Sequence, residues 1–202
     1  MKLSRRSFIK LVPIGIAISL ASWWFLGKET ATSSSGPVGS VRSSQPTLKT
    51  EGISDFPVAW NGGQPTHVDP RDYLLRVDGD VSNPLQLTLS DLYAMSSVTE
   101  SSTIECVEGW NATVAWEGIP LSDLLSQAGA PSKFDHVTVK SINGYATEIN
   151  QNDVTDLRVL IALKIGSAPL KVEHGYPARL VLPTKPGYQW AKYVNRITCA
   201  RT

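Results

Sequence analysis

Residues 104–131 read IECVEGWNATVAWEGIPLSDLLSQAGAP, and this run sets the character of the fold. Its second half places Leu121, Leu124, Leu125 and Ala128 at the i, i+3, i+4, i+7 spacing of one buried helix face, and Gly129 with Pro131 stops it. This is the best helix in the chain. Around it the pattern is that of short strands. Upstream, DYLLRVDGD (72–80) sets Tyr73, Leu75 and Val77 on one face and ends at an Asp-Gly turn. LQLTLS (85–90) alternates Leu85, Leu87 and Leu89 with polar residues, which predicts a half-buried strand. Downstream, HVTVKS (136–141), GYATEIN (144–150), RVLIAL (158–163), ARLVLP (178–183) and AKYVNRI (191–197) read as further strands. Strands and helices do not alternate regularly. That argues against a doubly wound parallel sheet and for a mixed α+β domain.

The first half of the same run holds Cys106, one of two cysteines; Cys199 lies near the C-terminus. Cysteines of exported proteins normally pair. The residues leave two readings open, a disulfide between the two or a thiolate held by a metal. With 202 residues, 42% of them hydrophobic and 18% charged, the chain can build one domain with a real core. Its net charge of +1 creates no field that would draw it to nucleic acid. No G-x-G-x-x-G or Walker loop is present, so the common nucleotide cradles are excluded. Without C-x-x-C, iron–sulfur, thioredoxin-like and c-type haem sites are excluded too. H-E-x-x-H is missing, His67, His136 and His174 are scattered, and no G-x-S-x-G elbow marks a serine hydrolase. Charge is uneven: residues 100–156 are rich in acids, whereas residues 171–202 carry their bases against Glu173 alone. Either the two stretches neutralise one another, or the basic end holds an anion such as a phosphate.

The N-terminus reads as an address. SRRSFIK (4–10) precedes an apolar run, Leu11 to Leu26, and sets Ser, Arg, Arg, Phe and Lys at the spacing of a twin-arginine export signal. That route carries folded proteins, often loaded with a cofactor. Trp23 and Trp24 suit a membrane interface, and no small-x-small cleavage site follows directly, so residues 1–27 are expected to be a signal retained as an anchor. Residues 28–51, with TSSSGPVGS among them, have the composition of a flexible Ser/Gly/Pro linker. The folded domain is expected over 52–202.

CVEGW (106–110), VAWEGIPLSDLL (114–125), HGYPARLVLP (174–183) and GYQWAKYVNRI (187–197) stand in this order behind a twin-arginine pair. Together they resemble the sulfite oxidase-type molybdopterin-binding oxidoreductase domain, over about residues 56–197. Within that group the chain looks most like the periplasmic methionine-sulfoxide reductase catalytic subunits of the YedY type. The resemblance implies a single α+β domain built on mixed β-sheet and a molybdenum–molybdopterin cofactor (Mo-MPT). Cys106 matches the one protein thiolate on the metal, a soft ligand such a metal takes readily. Glu108 matches an acid near the metal that tunes or relays protons. Ser141 stands where the reductase has a threonine hydroxyl. His174 matches a polar pterin contact, Arg179 an arginine aimed at the cofactor, and Trp190, Ala191 and Lys192 a stretch near the phosphate. Forked guanidinium, lysine charge and backbone N–H are what a phosphate requires. The loop FPVAWNGGQP (56–65) is expected to face the cofactor, with Trp60 and Asn61 as its contacts, although it departs there from the reductase's segment.

The function this implies is oxygen-atom transfer in the reductive direction, on a small or protein-bound S-oxide such as methionine sulfoxide. The alternatives are sulfite oxidation and a cofactor-binding protein without turnover. Sulfite oxidases have a GNRR-like string after the cysteine, where this chain reads VEGWNAT, without a base. The chain has no haem or cluster ligands of its own, so electrons must come from outside. The resemblance implies a haem-containing membrane electron donor; the charge balance predicts no nucleic acid partner, and the twin-arginine signal predicts a location in the periplasm or on the outer face of the cytoplasmic membrane. The resemblance also implies a monomer, because the chain ends just after the pterin domain.

Overall fold

In a computed structural model of the chain, the described residues are the backbone of 47–49, then 56–58 and 68–201. The apolar run 11–26, the twin-arginine pair, and the site candidates Trp60 and Asn61 lie outside the described residues.

Two sheets carry the fold. The first takes the order β1 (Thr47–Lys49), β5 (Asn111–Pro120), β8 (Leu160–Ile165), β10 (Arg179–Val181), with β4 (Val98–Glu105) pairing β5 and β9 (Ala168–Pro169) pairing β8. The second runs β3 (Leu85–Thr88), β2 (Leu74–Gly79), β11 (Val194–Ala200), β6 (His136–Ser141), β7 (Ala146–Asn150). Strand β11 runs parallel to β2 and antiparallel to β6, and β1 runs parallel to β5 whereas β4 and β8 run antiparallel to it. The sheets are therefore mixed, as the family resemblance implies, and helices are few, as the strand pattern predicts. The strand Thr47–Lys49 falls inside the stretch whose composition reads as linker.

Burial explains which predicted elements form. Tyr73, Leu75 and Val77 are all buried, and they join Val137, Val139 and Ile197 of the second sheet and Val114, Trp116 and Ile161 of the first in one apolar cluster. Each fully buried aliphatic side chain contributes about 1.5–3 kcal/mol relative to exposure. The helix α2 (Leu121–Gln127) buries Leu121, Leu124 and Leu125, with Ala128 as its C-cap. Leu89 corrects the strand expected over 85–90. The strand stops at Thr88, which caps a short helix α1 (Leu89–Ala94): Thr88 Oγ1 accepts from the Asp91 N–H, and the Asp91 carboxylate accepts from the Thr88 N–H. This reciprocal capping box outweighs one more alternation of leucine.

Cys199 lies on β11, buried between β2 and β6, while Cys106 follows β4 in the other sheet; both thiols are free. The disulfide reading is thereby set aside.

Candidate functional site

The longest strand pairing among the described residues positions Cys106. Strands β4 and β5 form a hairpin from Val98↔Gly118 to Glu105↔Asn111, and the loop 106–110 closes it. The Cys106 N–H donates to the Trp110 carbonyl at 2.9 Å, and the Gly109 N–H to the Cys106 carbonyl at 3.0 Å. Gly109 takes a φ of +89°, which a residue with a side chain rarely adopts. The thiol is thus fixed at the tip of a two-stranded arm.

A second segment presses on this tip. The turn Gly187–Gln189 packs so closely on the end of β4 that a Cβ at Gly187 would lie 2.6 Å from the Glu105 carbonyl oxygen. The same chain continues through Trp190, Ala191 and Lys192 into β11. Trp190 is buried, donates its indole N–H to the Lys185 carbonyl at 2.9 Å and meets Trp116 edge-on at 6.0 Å. The Ala191 carbonyl accepts from the Leu180 N–H, tying this segment to β10 beside Arg179.

One cleft collects these groups. Cys106, Glu108, His174, Arg179, Trp190, Ala191 and Lys192 all line it, and Phe56, Pro57 and Val58, the described part of the upstream loop, line it as well. Ser141 does not; the cleft is reached instead by its neighbours Asn143 and Tyr145. Ser141 is buried at the end of β6, and its hydroxyl has no hydrogen-bond partner among the described residues.

Arg179 is the most telling group. It is 2% exposed, its Nη1 donates to the His174 carbonyl at 3.1 Å, and its guanidinium lies 5.1 Å from the Trp116 ring centre and 5.9 Å from that of Trp190. Among the described residues no carboxylate pairs with it, and its Nε stands without a partner. Burial pulls its pKa down to about 10. An isolated buried cation costs several kcal/mol unless an anion compensates it. Other charges of the uneven sequence do neutralise one another, as Lys185 does with Asp153 at 3.0 Å. Arg179 does not.

Lys192 is half-buried, and its ammonium donates to the Glu173 carbonyl at 2.9 Å. Burial and then the charge of Arg179 pull its pKa down to about 7, against the opposing pull of Cys106 and Glu173. The fold therefore brings a cation within electrostatic reach of Cys106 that the sequence next to the cysteine does not contain. His174 is buried and stacks on Phe56 with ring centres 4.1 Å apart.

The rim of the cleft is different in character. Glu108 is exposed and accepts from the Trp110 indole N–H at 3.3 Å. Val107 is 76% and Tyr188 47% exposed, so apolar surface flanks the thiol. Tyr188, Tyr145 and Val107 escape sequence reasoning, since nothing in a lone exposed residue marks it as a rim. Among the described residues no group of three His, Cys, Asp or Glu side chains gathers to hold a metal. A metal at Cys106 would take one donor from these side chains and the others from a bound group.

The family model for the oxidoreductase molybdopterin binding domain matches residues 61–202. A protein of Azospira oryzae, provisionally named as a protein-methionine-sulfoxide reductase subunit YedZ1, is 32% identical over 64% of this chain and 50% of its own length. The protein-methionine-sulfoxide reductase catalytic subunit MsrP of Gluconobacter oxydans is 31% identical over 63% of this chain and 47% of its own. The chain thus spans about half the length of these two relatives. Among solved structures, the sulfane dehydrogenase SoxCD of Paracoccus pantotrophus superposes with a TM-score of 0.64, at 26% identity, over 69% of this chain and 41% of that one.

Proposed function

The chain belongs to the molybdopterin-binding oxidoreductase family, and we propose that it is an exported enzyme that removes the oxygen atom of S-oxides, methionine sulfoxide among them. One observation carries the reading: the Cys106 thiol shares a cleft with Arg179, a buried guanidinium that no described carboxylate neutralises. Arg179 Nε is a buried donor without a partner among the described residues, which suits a polar, anionic group bound between the hairpin tip and β10. Molybdopterin, when bound, supplies a molybdenum centre able to exchange an oxygen atom together with two electrons. Cys106 would hold the metal through its thiolate, and Arg179 and Lys192 would hold the anionic part of the cofactor. Reduction of a sulfoxide to its sulfide and water consumes two electrons and two protons. Glu108, exposed at the rim, is placed to pass protons in from solvent, while Val107, Trp110 and Tyr188 offer apolar walls to a neutral sulfoxide. The electrons come from outside the chain, and a haem-bearing membrane partner fits that role.

Sulfite oxidation is the second reading, and the nearness of Lys192 to Cys106 favours it, because sulfite is an anion. Glu108 opposes it, since an ionised carboxylate at the entrance repels sulfite. Purified molybdenum-loaded protein should therefore reduce methionine sulfoxide or a dialkyl sulfoxide with an artificial donor, and oxidise sulfite far more slowly. Glu108→Gln should lower sulfoxide reduction by ~10-fold or more, most visibly at high pH where solvent protons are scarce. Fast sulfite oxidation without sulfoxide turnover overturns the proposal.

Export by the twin-arginine route belongs to the same proposal and rests on Arg5 and Arg6. Changing both to Lys should strand folded, cofactor-loaded protein in the cytoplasm, as read by fractionation. Normal export of the Lys-Lys form would assign the general secretory route instead.

A further inference from the structure

The second sheet ends on an open edge beside the cleft. Its strand order places β7 outermost, paired with β6 alone among the described residues. That pairing is antiparallel, so alternate residues of β7 turn their N–H and C=O groups away from β6. Such a row is a template for one more strand, and folds commonly blunt it with Lys or Pro. Strand β7 reads ATEIN and has neither. Its one charged residue, Glu148, is exposed and makes no ion pair among the described residues.

This edge is continuous with the cleft that holds Cys106. A groove lies along it, with Tyr145, Ala146, Thr147, Glu148, Tyr188 and Gln189 in its lining. Tyr145 and Tyr188 line the cleft as well, so the two depressions share one wall. The wall is fixed. The Tyr145 hydroxyl donates to the Tyr188 carbonyl, and the Tyr145 carbonyl accepts from the Ser141 N–H at 2.8 Å. The Gln189 side-chain amide donates to the Tyr188 hydroxyl at 3.2 Å. Tyr145 directly precedes β7, and Tyr188 belongs to the turn packed on Glu105. A segment leaving the cleft across these two rings therefore meets the open edge at once. There it finds no deep pocket for one small molecule but a row of main-chain donors and acceptors, which matches what every polypeptide carries.

We propose that the β7 edge is a docking subsite for the polypeptide flanking a methionine sulfoxide, taken up as an added strand while the sulfoxide enters the cleft past Tyr145 and Tyr188. The inference rests on the S-oxide reading of the cleft and names its substrate class, a sulfoxide within an extended chain in preference to the free amino acid. Main-chain pairing supplies affinity independent of sequence, and Glu148 favours a cationic residue in the docked segment. Docking of this kind is equally strong in the ground and transition states, so it lowers KM and leaves kcat unchanged.

The test uses molybdenum-loaded protein and an extended peptide with a central methionine sulfoxide flanked on both sides by lysine-containing segments. Without an electron donor, binding is read by calorimetry and amide hydrogen exchange; with an artificial donor, kcat and KM are measured. The peptide should slow exchange in residues 146–150 but not in β3, at the other end of the same sheet. It should bind about tenfold more tightly than N-acetyl-methionine sulfoxide amide, the effect of one or two main-chain hydrogen bonds. N-Methylation of one alternate set of flanking amides should abolish that advantage, and methylation of the other set should not. Glu148→Lys should raise the peptide's KM about two- to fivefold and leave turnover of the capped amino acid unchanged. Equal affinity for peptide and capped amino acid, or no protection in 146–150, overturns the docking subsite alone. So does an equal effect of both methylated sets, or an unchanged peptide KM in Glu148→Lys. Wild-type protein that reduces neither compound overturns the S-oxide reading and this inference with it.

Discussion

Cys106→Ser is expected to leave less than about 1% of wild-type turnover. Loss of a group that merely orients a metal ligand typically costs about 10–100-fold in affinity or activity, so loss of the ligand itself exceeds that range. The substitution isolates the chemistry from the fold. The loop is set by the backbone bonds of Cys106, Gly109 and Trp110 and by the Gly187 turn against Glu105, none of which needs the sulfur. Circular dichroism and melting temperature should hardly move while molybdenum content per chain falls, because a hard hydroxyl poorly replaces a soft thiolate. Equal turnover and unchanged molybdenum would end the assignment of Cys106 as ligand. Cys199→Ala provides the control. That thiol is buried on β11 and burial raises its pKa, so it behaves as a small apolar side chain. Its removal should cost about 1 kcal/mol of stability and leave activity intact.

The sequence makes the helix at 121–127 and the strands carrying Leu75, Val139 and Ile161 legible, because each buries a full apolar face and burial is what periodicity records. The hairpin that carries the cysteine is the instructive omission. Strand β4 reads VTESSTIE and exposes most of its residues, burying only Ser102 and Ile104. It forms because β5 offers a full row of backbone partners, a term invisible in hydrophobic alternation. Of the cleft's lining, Cys106 and the stretches holding His174, Arg179 and Lys192 were legible, because type and motif coincide there. Its supports were not. Phe56 stacks on a histidine far along the chain, Trp116 lies beneath a guanidinium from another strand, and Tyr193 departs from ordinary backbone geometry without any sequence mark. Such contacts are properties of tertiary approach, and single residues do not announce them.

Arg179→Met should separate stability from function in opposite directions. In the cofactor-free protein the guanidinium is buried without a carboxylate partner among the described residues, and an ion in that position carries an effective penalty of several kcal/mol. Two interactions offset it. The hydrogen bond to the His174 carbonyl, if broken inside the fold, costs about 1–3 kcal/mol, and the approach to Trp116 and Trp190 contributes up to about 2 kcal/mol. Methionine fills most of the volume and recovers part of the second term through sulfur–aromatic contact. The balance favours Met by about 1 kcal/mol in urea unfolding of cofactor-free protein. The same variant should retain little molybdopterin, since it removes the buried cation that lines the cleft. Arg179→Lys refines the result: it keeps the charge but not the planar fork, so intermediate retention assigns part of Arg179's role to geometry. If Arg179→Met instead destabilises the cofactor-free protein by several kcal/mol, the two tryptophans and the His174 carbonyl suffice to hold the charge. The guanidinium would then be a structural post of the β10 strand, and the strongest physical reason to place an anion in this cleft would be gone.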